Sequence, residues 1–154
     1  MALVLNQSGI NPKAGDSVYA PYPARAFKLS SSLAAPVGPA TPCKLAGTAS
    51  NGMPIITPIT ATSDVVYCVI ATNLRSGSFG ANDVVKGWYA GQVIWLAASA
   101  AITAGAKVSA AVNGTVATAT TGEGATPVLG YAESSAGAAG DLVAVRLVSP
   151  YAVQ

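Results

Sequence analysis

Short runs of β-branched and aromatic residues alternate along this chain with stretches of Gly, Ala, Ser, Thr and Pro. Val65-Val-Tyr-Cys-Val-Ile-Ala is the strongest run, and its continuous apolar character predicts a strand buried on both faces. Asp83-Val-Val and Gln92-Val-Ile-Trp-Leu read as further strands. Lys107-Val-Ser-Ala-Ala-Val and Thr115-Val-Ala-Thr-Ala-Thr flank Asn113-Gly114, which predicts a hairpin with a two-residue type I′ turn, because both central residues of that turn need positive φ. Pro127-Val-Leu-Gly-Tyr-Ala-Glu is another strand, and Asp141-Leu-Val-Ala-Val-Arg-Leu-Val the last. In that last strand Val143, Val145 and Leu147 share one face, with Leu142, Ala144 and Arg146 on the other. No long amphipathic helix competes; Ala97–Ala106 has room for a helical turn, which Thr103 and Gly105 limit.

Up to residue 60 the pattern differs. Pro12, Pro21, Pro23, Pro36, Pro39, Pro42, Pro54 and Pro58 are dense there, and each removes a backbone donor and disfavours helix at the residue before it. The expectation is an all-β fold: a compact small barrel or sandwich domain over residues 61–154, preceded by an extended Pro-rich N-terminal arm over residues 1–60. Ser17-Val-Tyr-Ala and Ala26-Phe-Lys-Leu are short possible strands within the arm. Tyr19, Tyr22 and Phe27 are its available anchors, packed either on their own domain or on a neighbour. A Gly turn leading into a β-branched strand recurs without fixed period, as Ala14-Gly-Asp-Ser-Val, Ala104-Gly-Ala-Lys-Val and Ala139-Gly-Asp-Leu-Val. Gly permits the turn, Asp bonds nearby backbone, and the irregular spacing argues against a solenoid.

Composition shifts attention to the surface. Only 9% of the 154 residues are charged although 51% are hydrophobic, whereas soluble domains carry about 25% charge. Much of the surface must then be Ala, Ser, Thr and Gly, which suits burial in an assembly better than a lone monomer. The uncharged stretch from Gly87 to Ala106 is broken by Gly, Gln, Ser and Thr, and comparable runs occur elsewhere, so no membrane span is expected. The opening Met1-Ala-Leu-Val-Leu-Asn-Gln-Ser lacks a basic region and a full apolar core, unlike a secretion signal.

The absence of histidine removes Ser-His-Asp and Cys-His nucleophiles and His metal sites, so no catalytic, cofactor or metal site is expected. Cys43 and Cys68 are too few for a structural zinc; they read as buried thiols, with a bridge as the other reading. A net charge of +2 with scattered cations argues against nucleic acid. Lys86 with Ser76 or Ser78 lacks a Ser-x-x-Lys pattern, and Glu123 with Glu133 reads as two loop carboxylates. Asp64, Asp83 and Asp141 stand at strand starts after turn residues, a place for backbone bonding rather than calcium. Trp88 and Trp95 read as core or subunit-contact aromatics; the rival is a sugar-stacking platform, which needs a turn between them.

Over Val84–Val148 the order of phrases resembles the small capsid decoration, or head cement, proteins of bacteriophages. The phrases are Ala101-Ile-Thr-Ala-Gly-Ala-Lys-Val, Asn113-Gly-Thr-Val, Val128-Leu-Gly-Tyr-Ala-Glu and Ala139-Gly-Asp-Leu-Val-Ala-Val-Arg-Leu. The resemblance implies a structural virion protein, not an enzyme, without cofactor. It implies a homotrimer on the outer surface of the phage head, at three-fold and quasi-three-fold positions, bridging major capsid subunits. The alternatives are a head-fibre or tail component, or a carbohydrate-binding β module. Residues 1–60 lie outside the resemblance. For them proline density alone motivates an arm on the capsid, with Tyr19, Tyr22 and Phe27 as anchors and Arg25 and Lys28 facing capsid carboxylates.

Overall fold

Residues 12–19, 23–72, 77–122 and 125–148 are described by the structure, a computed structural model, and every regular element among them is a strand. In chain order these are β1 (Ser17–Tyr19), β2 (Arg25–Leu29), β3 (Pro42–Thr48), β4 (Pro54–Pro58), β5 (Cys68–Ile70) and β6 (Val84–Trp88). Then come β7 (Val93–Ala97), β8 (Lys107–Ala110), β9 (Val116–Thr118), β10 (Gly130–Ala132) and β11 (Leu142–Leu147). The fold is all-β, as the sequence pattern predicts, and it contains a small barrel.

That barrel is formed by β2, β4, β3, β5 and β6, with β6 returning to pair with β2. The remaining strands form a sheet ordered β1-β7-β11-β10-β8-β9. A parallel bridge from Val116 in β9 to Ala98, just past β7, curls its far edge back towards its start. Set aside β1, and both units share one circular order: first strand, fifth, fourth, second, third. The senses agree too. Each third strand meets the first in parallel, at Lys28–Ile55 and Ala98–Val116, and every other neighbouring pair is antiparallel.

Hydrogen bonds outside the ladders repeat in the same places. Leu29 N donates to Asp83 O and Ala98 N to Asp141 O, both at 2.8 Å. Ala40 N reaches Ile70 O at 2.8 Å, and Gly105 N reaches Ala132 O at 2.7 Å. Val37 and Phe79 exchange two bonds, as do Ile102 and Ala136. The chain therefore carries one five-strand unit twice, with β1 as an addition to the second. Phe27, Leu29, Ile56 and Ile70 fill the barrel; Ile94, Leu96, Val108, Val143 and Val145 fill the second unit. Ala40, Ile59, Val66 and Val69 of the first unit pack into the second core, which joins the two.

The Gly turn found three times in the sequence occurs five times in the structure. Gly15, Asn82, Gly91, Gly105 and Gly140 all have positive φ, each follows Ala, and each turn closes with an N–H to the carbonyl three residues back. Positive φ at the third residue is what a type II turn requires. In four of them the next side chain finishes the turn: Asp16, Asp83, Gln92 and Asp141 accept from the amides of Lys13, Gly80, Tyr89 and Ala138.

Three expectations need correction. An extended arm over residues 1–60 is not shown: Arg25–Pro58 supply three of the five barrel strands. Three of the eight prolines that suggested an arm stand at strand ends, with Pro42 and Pro54 first in β3 and β4 and Pro58 last in β4, positions that sheets tolerate. The Val65–Ala71 run forms a strand only at Cys68–Ile70, and Val65 is 52% exposed. The Asn113-Gly114 hairpin has a three-residue loop. Ala111 N donates to Thr115 O and Gly114 N to Ala111 O, and only Gly114 has positive φ, which is a type I turn with a G1 bulge. Asn113 Oδ1 accepts from the Thr115 amide and hydroxyl, at 3.2 and 2.8 Å, and holds that shape.

Candidate functional site

The aspartates are engaged in holding the backbone. Asp16, Asp83 and Asp141 close turns, and Asp16 Oδ1 also accepts from the Thr72 hydroxyl at 2.7 Å. Glu133 pairs with Arg146 across β10 and β11. Among the described residues no group of three or more Cys, Asp and Glu gathers as metal ligands would. Glu123 and Ser76 lie outside the described residues. A cleft of about 280 Å³ beside Lys107 is walled by methyl and hydroxyl groups of Ala119, Thr120, Thr126 and Val128.

Asp64 accepts four hydrogen bonds on one oxygen. Its Oδ2 accepts from Lys44 Nζ at 2.9 Å, from the amides of Thr60 and Ala61, and from the Thr60 hydroxyl. The Lys44 ammonium first, and the Thr60 amide next, hold its carboxyl well below the usual carboxylate range. A carboxyl whose folded value lies below its unfolded value contributes stability above the unfolded value and loses it as pH falls through the folded one. Acid titration of the unfolding midpoint should therefore show a destabilising limb below about pH 4. Asp64→Asn should flatten that limb; an unchanged limb would reject the assignment.

Cys43 and Cys68 are free, buried and directly opposite each other on β3 and β5. Burial pushes the Cys43 thiol up to about 12, and burial followed by the neighbouring Cys43 raises Cys68 well above its ordinary value. The thiolate is the reactive species, so neither should react with a water-soluble disulfide reagent at pH 8 until the protein unfolds. Rapid native labelling would contradict their placement.

The aromatic candidates separate. Phe27 is fully buried in the barrel, with Tyr67 edge-on at 6.0 Å, so its ring is not available as an anchor on a neighbour. Tyr22 lies outside the described residues, and Tyr19 is placed only through its main chain, opposite Val93. Trp88 and Trp95 are half-buried and meet the same turn. Trp88 Nε1 donates to Gly15 O at 2.8 Å, while Trp95 exchanges main-chain bonds with Gly15 and Asp16. The intervening turn that the sequence requires is Tyr89–Gln92, and it carries the chain from one unit to the next.

The cations Arg25 and Lys28 share β2, and a third cation, Lys86, stands on the neighbouring β6. On β2 the outward residues are Ala26 and Lys28; on β6 they are Val84 and Lys86. Ala26 lies opposite Lys86, and Lys28 opposite Val84, which is 60% exposed. Arg25 stands at the strand end with its guanidinium 6.0 Å from the Phe27 ring centre. Among the described residues Arg25, Lys28 and Lys86 make no ion pair. Alternation through Val84-Val85-Lys86-Gly87 was the available clue to Lys86.

No protein-family model matches the chain, and no curated protein does either. The molecule supplies its own comparison instead. At the positions equivalent to Ala26, Lys28, Val84 and Lys86 the second unit has Trp95, Ala97, Leu142 and Ala144, with Ala144 buried. The two units differ in surface chemistry here. One face is basic and open; its counterpart is apolar and largely covered.

Proposed function

We propose that this chain is a structural protein of a phage virion, a homotrimer that decorates the outer surface of the head and stabilises it by bridging major capsid subunits at three-fold and quasi-three-fold positions. The observation that carries the reading is the use of its polar groups. The described carboxylates are bound to turn amides, a lysine or an arginine, so they serve the fold rather than a reaction. The exposed surface meanwhile offers the apolar side chains Leu45, Val65, Val84, Val112 and Tyr131. Such a surface suits contact with other subunits.

The mechanism is differential affinity. A cement that binds the expanded shell and not its precursor stabilises the expanded state, by about 2.7 kcal/mol per site at a hundred-fold excess over its dissociation constant. Arg25, Lys28 and Lys86 form the face proposed to meet capsid carboxylates, and Phe27 supports that face from beneath. The test combines solution mass with cryo-imaging of expanded and unexpanded shells mixed with the protein. Trimers seated at three-fold positions of expanded shells are expected. A monomer that ignores both shells, or density confined to the tail, rejects the proposal.

A further inference from the structure

β2 and β7 hold the same place in their units, yet their outer edges are treated differently. On β7 the edge away from β11 is filled by β1. Gly15 N donates to Trp95 O at 2.7 Å, Trp95 N donates to Asp16 O at 2.8 Å, and Ser17 and Tyr19 pair with Ile94 and Val93. The residue equivalent to Trp95 is Ala26. Its direction follows from alternation along β2: Leu29 N reaches Asp83 O on the β6 side, whereas Ser30 N reaches Ile56 O on the β4 side. Ala26 shares the parity of Ser30, so its amide and carbonyl aim away from β6.

β4 does not cover them. It pairs with Lys28 and Leu29 and begins at Pro54, which has no N–H to offer the Ala26 carbonyl one step further along a parallel ladder. Ala26 is exposed, and among the described residues no strand pairs with it on that side. Unpaired edge backbone accepts an added strand. Arg25, Lys28 and Lys86 flank this edge without a partner carboxylate among the described residues, whereas β1 lies against an edge whose neighbours are Trp95, Ala97 and Ala144. Backbone need and side-chain charge select the same occupant.

We propose that the edge of β2 at Ala26 takes an extended acidic segment of a partner protein as an added antiparallel strand, in the place that β1 fills on β7. This deepens the capsid reading by naming the kind of segment engaged, and rests on that reading only for the segment's source.

The experiment titrates the isotope-labelled full chain with a short synthetic peptide of alternating glutamate and valine, and with its lysine counterpart. Amide shifts confined to Arg25–Lys28 and their β6 partners are expected, with slowed exchange at Ala26 and binding that weakens with salt. Lys28→Glu with Lys86→Glu should weaken binding on the order of tenfold, and Lys107→Glu on the second unit should not. Ala26→Pro, a change that an open edge tolerates, should abolish binding while leaving the melting temperature near that of the parent. Slow exchange at Ala26 before any peptide is added would mean that the edge is already filled, by another part of this chain or by a second copy, and overturns the proposal. So does equal binding of the lysine peptide, or unchanged binding by Ala26→Pro. Peptide binding lost in the charge-reversed variant while capsid occupancy is unchanged overturns the capsid as source and supports the acidic-strand site itself.

Discussion

Gly130→Ala is expected to destabilise the chain by about 3 kcal/mol and to lower its melting temperature by on the order of 10 °C. Gly130 opens β10, pairs with Leu147 on β11 and Val108 on β8, and is buried. A Cβ there would lie 2.1 Å from the carbonyl oxygen of Arg146 and 2.9 Å from both its carbonyl carbon and Val145 Cγ1. The first two obstacles are main chain, so no rotamer change removes them. Relief requires β10 to move off β11, loosening the Tyr131–Arg146 and Ala132–Val145 pairings at the centre of the second unit. Gly47→Ala is the control, since a Cβ there meets nothing within 4 Å; it should stay within about 0.5 kcal/mol of the parent. Denaturant midpoints with slopes compare the two, and a parent-like midpoint for Gly130→Ala would refute the close approach.

The second large effect comes from reading one unit against the other. Gly87→Val should cost about 3 kcal/mol alone, because a Cβ at Gly87 would lie 2.8 Å from the Phe27 ring. Phe27→Leu should cost about 1 kcal/mol by leaving space in the barrel core. Together they should cost less than their sum, by about 1–2 kcal/mol. The reason is that the second unit already holds the swapped pair: Leu96 and Val145 occupy the places of Phe27 and Gly87. The next residue inward compensates in the same sense, with Ile70 opposite Gly87 and Ala132 opposite Val145. One volume is divided in two ways. Additive costs in the double-mutant cycle would show that the two cores do not share this space-filling rule.

Much of the strand content was legible because it depends on neighbours in the chain. β-branched runs located β6, β7, β8 and β11, and period-two alternation put Val143, Val145 and Leu147 on one face, which the structure buries, and Arg146 on the other. Three of the Ala-Gly turns, at Gly15, Gly105 and Gly140, were legible from their glycine ahead of a β-branched strand. Two escaped: one where Asn82 takes the positive φ, and the one at Gly91, which Gln92 completes. Of the cations on β2 and β6, charge alone singled out Arg25 and Lys28 in the sequence. Lys86 was not, because its relation to Ala26 is a long-range pairing.

By itself the sequence determined the all-β class, the turns that local φ preferences enforce, and a set of side chains poor in acid–base chemistry. These follow from interactions between residues a few positions apart. Only the tertiary structure decided that Pro42, Pro54 and Pro58 mark strand ends in a barrel, that Phe27 is core, and that one strand order occurs twice. The repeat is conserved in backbone directions and in summed volumes, as when Ala40 adopts the positive φ that Gly105 takes in the second unit. Neither quantity is written as residue identity. The edge at Ala26, which no strand covers among the described residues, belongs to the same class of fact, since it depends on where β4 begins relative to β2 after the chain has closed the barrel.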